Sequence, residues 1–165
     1  MLRIDAKSSR ELQALILSVR RANKEVQAQI RKNTKPMVQA EWQKGLAQEA
    51  MTRFEHRVLV ETARVTVSNQ NVKLKAGGLS KKLSGGGRAR DLAGVAEFGA
   101  GQRKPIQSTS TKGKKFQRQG TNQFRHYKKS GHVVYPTAAR IIPRLASLWV
   151  QTAVRTFHEA LEKKG

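Results

Sequence analysis

The feature that most constrains this chain of 165 residues is a stretch that cannot build a core. From Gly99 to Ser130 the only large aliphatic residue is Ile106, and the stretch is rich in Gly, Ser, Thr, Gln, Lys and Arg. No acid follows Glu97 until Glu159. A segment of this kind gains too little apolar burial to offset its own ordering, so it reads as a long basic loop that is functional or orders against a partner. Whatever folds must do so around the two apolar flanks, within one domain over 1–165 carrying an extended basic loop over 99–132.

Charge follows the same division. Between Thr62 and His158 there are 19 Lys and Arg against two acids, Asp91 and Glu97, a net +17 of the whole-chain +22. Such a field attracts polyanions at ordinary ionic strength. The chain has no cysteine, which excludes disulfides, thiolate metal sites and cysteine nucleophiles. No apolar run approaches the ~20 residues of a membrane span. The beginning, "MLRIDAKSSRE", lacks the apolar centre of a signal peptide. These features read as a soluble protein of a reducing compartment.

Helical spacing dominates the first fifty residues. Ser8 and Glu11 fit a capping box, and Leu12, Leu15, Ile16, Val19, Val26 and Ile30 form one stripe, interrupted at Asn23. Met37, Val38, Trp42, Leu46, Ala47, Ala50 and Met51 continue it beyond Pro36, where a kink or a new helix is expected. Arg57 to Val67 and "VKLKA", joined by Ser68-Asn69-Gln70-Asn71, read as a β-hairpin with Lys73 and Lys75 on its solvent face. Gly77-Gly78 and Gly85-Gly86-Gly87 bracket a loop that lacks the ending of a phosphate loop. "DLAGVAEF" fits either a short strand or a helical turn. "HVVYP" reads as a strand. The final helix carries Ile141, Leu145, Leu148 or Trp149, Thr152, and Val154 or Phe157 on its buried side, with Pro143 in its first turn or at a kink. The fold class expected is α+β: N- and C-terminal helices on one face of a small antiparallel sheet of three to four strands.

Chemistry is sparse. His56, His126, His132 and His158 show no metal-ligand spacing, and no serine sits in a nucleophile elbow. Glu97, alone among cations, fits a general base less well than an ion-pair partner for a nearby arginine that positions the loop. No catalytic residue, metal or cofactor is expected. Phe116, Phe124, His126 and Tyr127 interleave with Lys114, Lys115, Arg118, Arg125, Lys128 and Lys129, a pattern that suits either nucleic-acid binding or a solvated loop anchored by its aromatics.

Two short segments carry a resemblance. Glu97-Phe98-Gly99-Ala100 and Tyr135-Pro136-Thr137-Ala138-Ala139-Arg140 resemble, in order and placement, the motifs of the tailed-phage head–tail joining, or neck and tail-completion, family typified by the gene-ten product of a lambdoid phage. The actinobacteriophage members are the most similar, through "EFGA" and the helix "LWVQTAVRTFHEALE". Ala100 stands where the family usually has Thr, Tyr135 replaces a Pro-Phe pair, and the loop between the motifs is longer. The resemblance implies a virion protein at the head–tail junction without catalysis, assembled in the host cytoplasm. Its partners would be copies of itself in a hexameric or dodecameric ring, the neighbouring connector or stopper, and the tail terminator or tail tube. Interface residues would be Glu97, Phe98, Gly99, Phe116, Phe124, Tyr127, Tyr135 and Pro136. Arg103, Lys104, Lys112, Lys114, Lys115, Arg118, Arg125, Lys128 and Lys129 would meet acidic neighbours or DNA in the channel. A basic nucleic-acid-binding protein is the alternative.

Overall fold

The computed structural model describes residues 2–5, 14, 17, 19–68, 71–80, 82–83, 87–100, 105–119 and 124–162. The capping box of Ser8 and Glu11, and Leu12, Leu15 and Ile16, lie outside them. Strand β1 (Leu2–Asp5) comes first; then helix α1 (Lys24–Glu49), helix α2 (Arg53–Glu55) with a π-helical turn (His56–Val60), β2 (Arg64–Val67), β3 (Val72–Ala76), α3 (Ala89–Phe98), β4 (Pro105–Thr109), β5 (Lys115–Gln119) and α4 (Val134–Glu162) follow. The protein is α+β. Its main sheet is antiparallel with order β1-β3-β2, and β4-β5 form a separate two-stranded sheet.

The break in the N-terminal helical stretch falls at Asn23, and α1 runs on through Pro36. Asn23 has an extended backbone, and its side chain accepts the Val26 N–H at 2.9 Å, so it caps α1. Pro36 removes one donor without ending the helix, which is held by its buried face: Ile30, Val38, Trp42 and Leu46. That face packs along α4, where Ile141, Leu145, Trp149 and Ala153 are buried. The two helices approach most closely at Gly45. A methyl group there would overlap the Ile141 side chain and lie 2.8 Å from Thr137 Cγ2. The Thr137 hydroxyl donates to the Gly45 carbonyl at 3.3 Å in the same crossing.

Two side chains tie α1 to the sheet. Trp42 Nε1 donates to the Lys75 carbonyl at 3.2 Å. Gln39 works as a surrogate strand on the edge of β2: its Nε2 donates to Ala63 O at 3.0 Å and its Oε1 accepts Val65 N–H at 2.8 Å. An edge strand with open backbone groups invites stray pairing, and this amide closes two of them. β2 and β3 pair antiparallel with Val65 opposite Leu74 and Val67 opposite Val72. Lys73 and Lys75 alternate with the buried Val72, Leu74 and Ala76.

The reading of Arg57 to Val67 as one strand is corrected. Thr52 accepts the Glu55 N–H and Glu55 accepts the Thr52 N–H, a capping box that starts a helix and carries the chain through the π turn as far as Val60. Thr62 closes the turn by donating to the Val58 carbonyl, while its hydroxyl oxygen accepts Gly77 N–H at 2.8 Å. Only Arg64–Val67 remains strand. "DLAGVAEF" lies in helix α3, whose Ala89, Ala93 and Ala96 are buried. Small residues suit the approach: Gly77, at φ +69, leaves no room for a methyl beside Ala93 Cβ.

Candidate functional site

The segments Glu97–Gly99 and Val133–Pro136, which bracket the basic stretch, meet at one junction. Helix α3 ends at Gly99, whose φ of +73 and ψ of −172 belong to a region open essentially to glycine. A side chain at Gly99 would overlap the Arg125 carbonyl oxygen and come within 2.6 Å of that of His126. The chain therefore reverses tightly against its own returning segment, Arg125–His126. Ala100 N–H donates to Arg125 O at 3.1 Å, Lys128 N–H to Phe98 O at 2.8 Å and His132 N–H to Glu97 O at 2.8 Å. The last two satisfy carbonyls that a helix C-terminus leaves without partners.

The Glu97 side chain answers in the other direction. It is fully buried. Its Oε2 accepts the N–H groups of Val133 at 3.2 Å and Val134 at 2.6 Å, and its Oε1 accepts that of Tyr135 at 3.0 Å. Pro136 has no N–H to satisfy, and Thr137 N–H already bonds to Val133 O at 3.1 Å. One carboxylate thus takes every free donor in the first turn of α4, at the positive end of that helix. Gly131, at φ +75, is the counterpart of Gly99, because a methyl there would overlap Glu97 Oε1. Burial pushes the Glu97 carboxyl above its ordinary value, while the backbone donors and nearby His132 pull it back down.

This junction corrects two expectations. "HVVYP" is not a strand: Val134 opens α4, because the carboxylate supplies a cap that local β-propensity cannot outweigh. Glu97 is not the ion-pair partner of a loop arginine, and it does not lie on a surface. That pairing belongs to Glu55, whose Oε2 accepts Met51 and Thr52 N–H and whose Oε1 faces Arg125 Nη1 at 3.6 Å. The returning segment is anchored further by Phe124, edge-on to Phe54 at 5.3 Å between ring centroids. The His132 Nε2–H donates to His126 O at 2.8 Å. Phe98 packs on Tyr135 at 5.7 Å.

The stretch between these anchors is not all loop. β4 and β5 form an antiparallel hairpin with Ser108 opposite Phe116 and Thr109 opposite Lys115. Ser110 N–H donates to Lys114 O and Gly113 N–H to Ser110 O, both at 2.9 Å, and Gly113 has φ +78. That is a three-residue loop, Thr111-Lys112-Gly113, with glycine in the left-handed position. The signal for it is "STKGK": a turn former followed by glycine between two short runs. It is obscured because neither run alternates apolar with polar.

Of the residues expected at an interface, the structure buries Glu97 and half-buries Phe98, Gly99 and Pro136. Phe116 at 46%, Tyr127 at 63% and Tyr135 at 45% are exposed, and Phe124 is exposed on one side while packed on the other. Among the expected cationic contacts, Lys112, Lys114, Lys115, Lys128 and Lys129 are exposed, and Arg125 is held by Glu55. Arg118 lies on β5, and Arg103 and Lys104 fall outside the described residues. Among the described residues, no group of three or more His, Asp or Glu is placed to hold a metal ion, and no helix is long and apolar enough to cross a membrane.

No protein-family model, curated protein or solved structure matches this chain.

Proposed function

We propose that this chain is a structural virion protein of a tailed-phage neck, acting by ring assembly between the head connector and the tail without catalysis. The observation that carries the reading is the junction itself. The two segments that resemble the family's motifs are joined here by a carboxylate and a ring contact, and the basic hairpin is the stretch of chain that runs between them. A motif pair that forms one structural device gives the resemblance a physical reason: Glu97 caps the helix that the second segment begins. In this reading the neighbours are met by the exposed Phe116, Tyr127 and Tyr135 and by the hairpin, while Glu97 and Gly99 set the geometry from inside.

The test is electron microscopy of lysates from a phage lacking this gene. The expected result is filled heads and separate tails, converted to joined particles when the full chain is supplied in trans. Joined, infectious particles without the protein would overturn the assignment.

A further inference from the structure

We propose that the β4–β5 hairpin is a duplex-DNA-binding ribbon that holds the phosphate backbone through Lys112, Lys114 and Lys115. The inference goes beyond the neck reading and does not depend on it. Three observations lead here. First, all three lysines are exposed, at and beside the tip of a hairpin whose strands pair only with each other among the described residues. Second, 101–132 holds nine Lys and Arg and no acid, so no carboxylate of that segment neutralises the tip. Third, the tip has a defined turn: Gly113 takes the left-handed position, and the Ser110 N–H pairs with the Lys114 carbonyl, which places Lys112, Lys114 and Lys115 around one tight reversal.

The composition distinguishes DNA from an acidic protein as the occupant. Protein interface cores are depleted in lysine and enriched in aromatics and arginine. The tip from Thr109 to Gln117 has three lysines, Phe116 as its single aromatic, and otherwise Ser, Thr, Gly and Gln. Lysines are compact point charges that suit a repeating array of phosphates, and the hydroxyls and amides add donors to the same oxygens. A two-stranded ribbon also has the width that the major groove of B-form DNA admits. Lys128 and Lys129, exposed in the segment that follows the hairpin, add to its positive charge. The recognition expected is of the backbone, without sequence preference.

The test is fluorescence anisotropy of a labelled mixed-sequence DNA duplex with the full chain, titrated across a salt series. With a net charge of +22, weak attraction anywhere on the surface must be separated from a site. The comparison is therefore between K112Q/K114Q/K115Q and a charge-matched control, K24Q/K32Q/K35Q, on the exposed side of α1. The hairpin variant is expected to lose at least about tenfold in affinity at ~0.1 M salt, and its log–log salt slope to shrink by about 3, one for each phosphate that a lysine no longer neutralises. The control is expected to keep the slope, and K112R/K114R/K115R to bind like the parent. Equal losses in the two triple variants would overturn the proposal. So would an absence of duplex binding, or displacement of the duplex by polyglutamate as effectively as by unlabelled DNA at equal charge, which would point to an acidic protein partner. None of these outcomes bears on whether the chain joins heads to tails, so this proposal and the neck reading can fail separately.

Discussion

The junction at Glu97 and the tip of the β4–β5 hairpin are built on opposite principles, although a short length of chain separates them. At the junction a carboxyl group is buried and the backbone groups around it are spent: three N–H groups on its two oxygens, two carbonyls of α3 taken by the returning segment. At the tip the charges are in water and the backbone is satisfied locally by one turn and one pair of strands. Each region places a glycine at nearly the same φ, +73 at Gly99 and +78 at Gly113. What surrounds those glycines differs completely. Backbone carbonyls crowd Gly99, while nothing lies within 4 Å of a methyl group built on Gly113. The chain keeps its shape at the first glycine and offers a surface at the second.

Removing the acid is the hardest blow to that contrast. Glu97→Ala leaves three backbone donors at a helix start without an acceptor, and since each buried unsatisfied group costs ~1–3 kcal/mol, the loss should be about 3–5 kcal/mol in a urea titration. A loss below about 1 kcal/mol would mean that water reaches the α4 terminus and that the junction is not closed.

The glycine pair sharpens the comparison next. Gly99→Ala must fit a side chain into a region that disfavours it and against two carbonyls, at a cost of about 3 kcal/mol, whereas Gly113→Ala carries only the left-handed penalty of about 1 kcal/mol. Equal costs in the same titration would erase the distinction between a crowded and an open turn.

A smaller effect should appear with pH. Because burial raises the Glu97 carboxyl above its ordinary 4.5, the folded chain keeps that proton to a higher pH than the unfolded chain does. The contribution is fully present below the ordinary value and is lost as pH rises through the raised one. Thermal melts of the parent and of Glu97→Gln across pH 4 to 8 should therefore diverge in slope within that window, the parent losing stability relative to the variant as pH rises. Parallel curves would show that the carboxyl titrates alike in both states.

At the tip the expected change in stability is the smallest. Lys114→Ala or Lys115→Ala should stay within about 0.5 kcal/mol of the parent, as exposed substitutions away from special features do. A larger loss would show that these lysines have structural partners.

How much of this can be read from the chain alone depends on the distance between partners. The α1 stripe of Val38, Trp42 and Leu46 and the α4 stripe of Ile141, Leu145 and Trp149 are periodic, so they are legible, as are the alternation of β3 and the α+β class. Asn23 is visible as an interruption, but Pro36 draws the boundary because its local cost is larger; tertiary burial of Ile30, Thr34 and Val38 decides otherwise. Thr52 and Glu55 form a capping box that the apolar, valine-rich run Val58-Leu59-Val60 obscures. Val133-Val134-Tyr135 looks like a strand to any local rule, because the group that makes it a helix start lies 36 to 38 residues upstream. Glu97 itself stands out as the lone acid among cations, but charge pairing is the wrong question: its partners are backbone amides, which sequence does not label. The hairpin escapes sequence reading for the reverse reason. Its tip is exposed on both strands, so it carries no hydrophobic period, and only the turn residues around Gly113 mark it.

The most direct single test of this contrast is amide hydrogen exchange on the intact chain, read residue by residue. Strong protection is expected at the Val133, Val134 and Tyr135 amides, lost selectively in Glu97→Ala, together with rapid exchange at Thr111 and Lys112 in both proteins. Rapid exchange at Val133 to Tyr135 in the parent, or protection there that survives removal of the carboxylate, would contradict it.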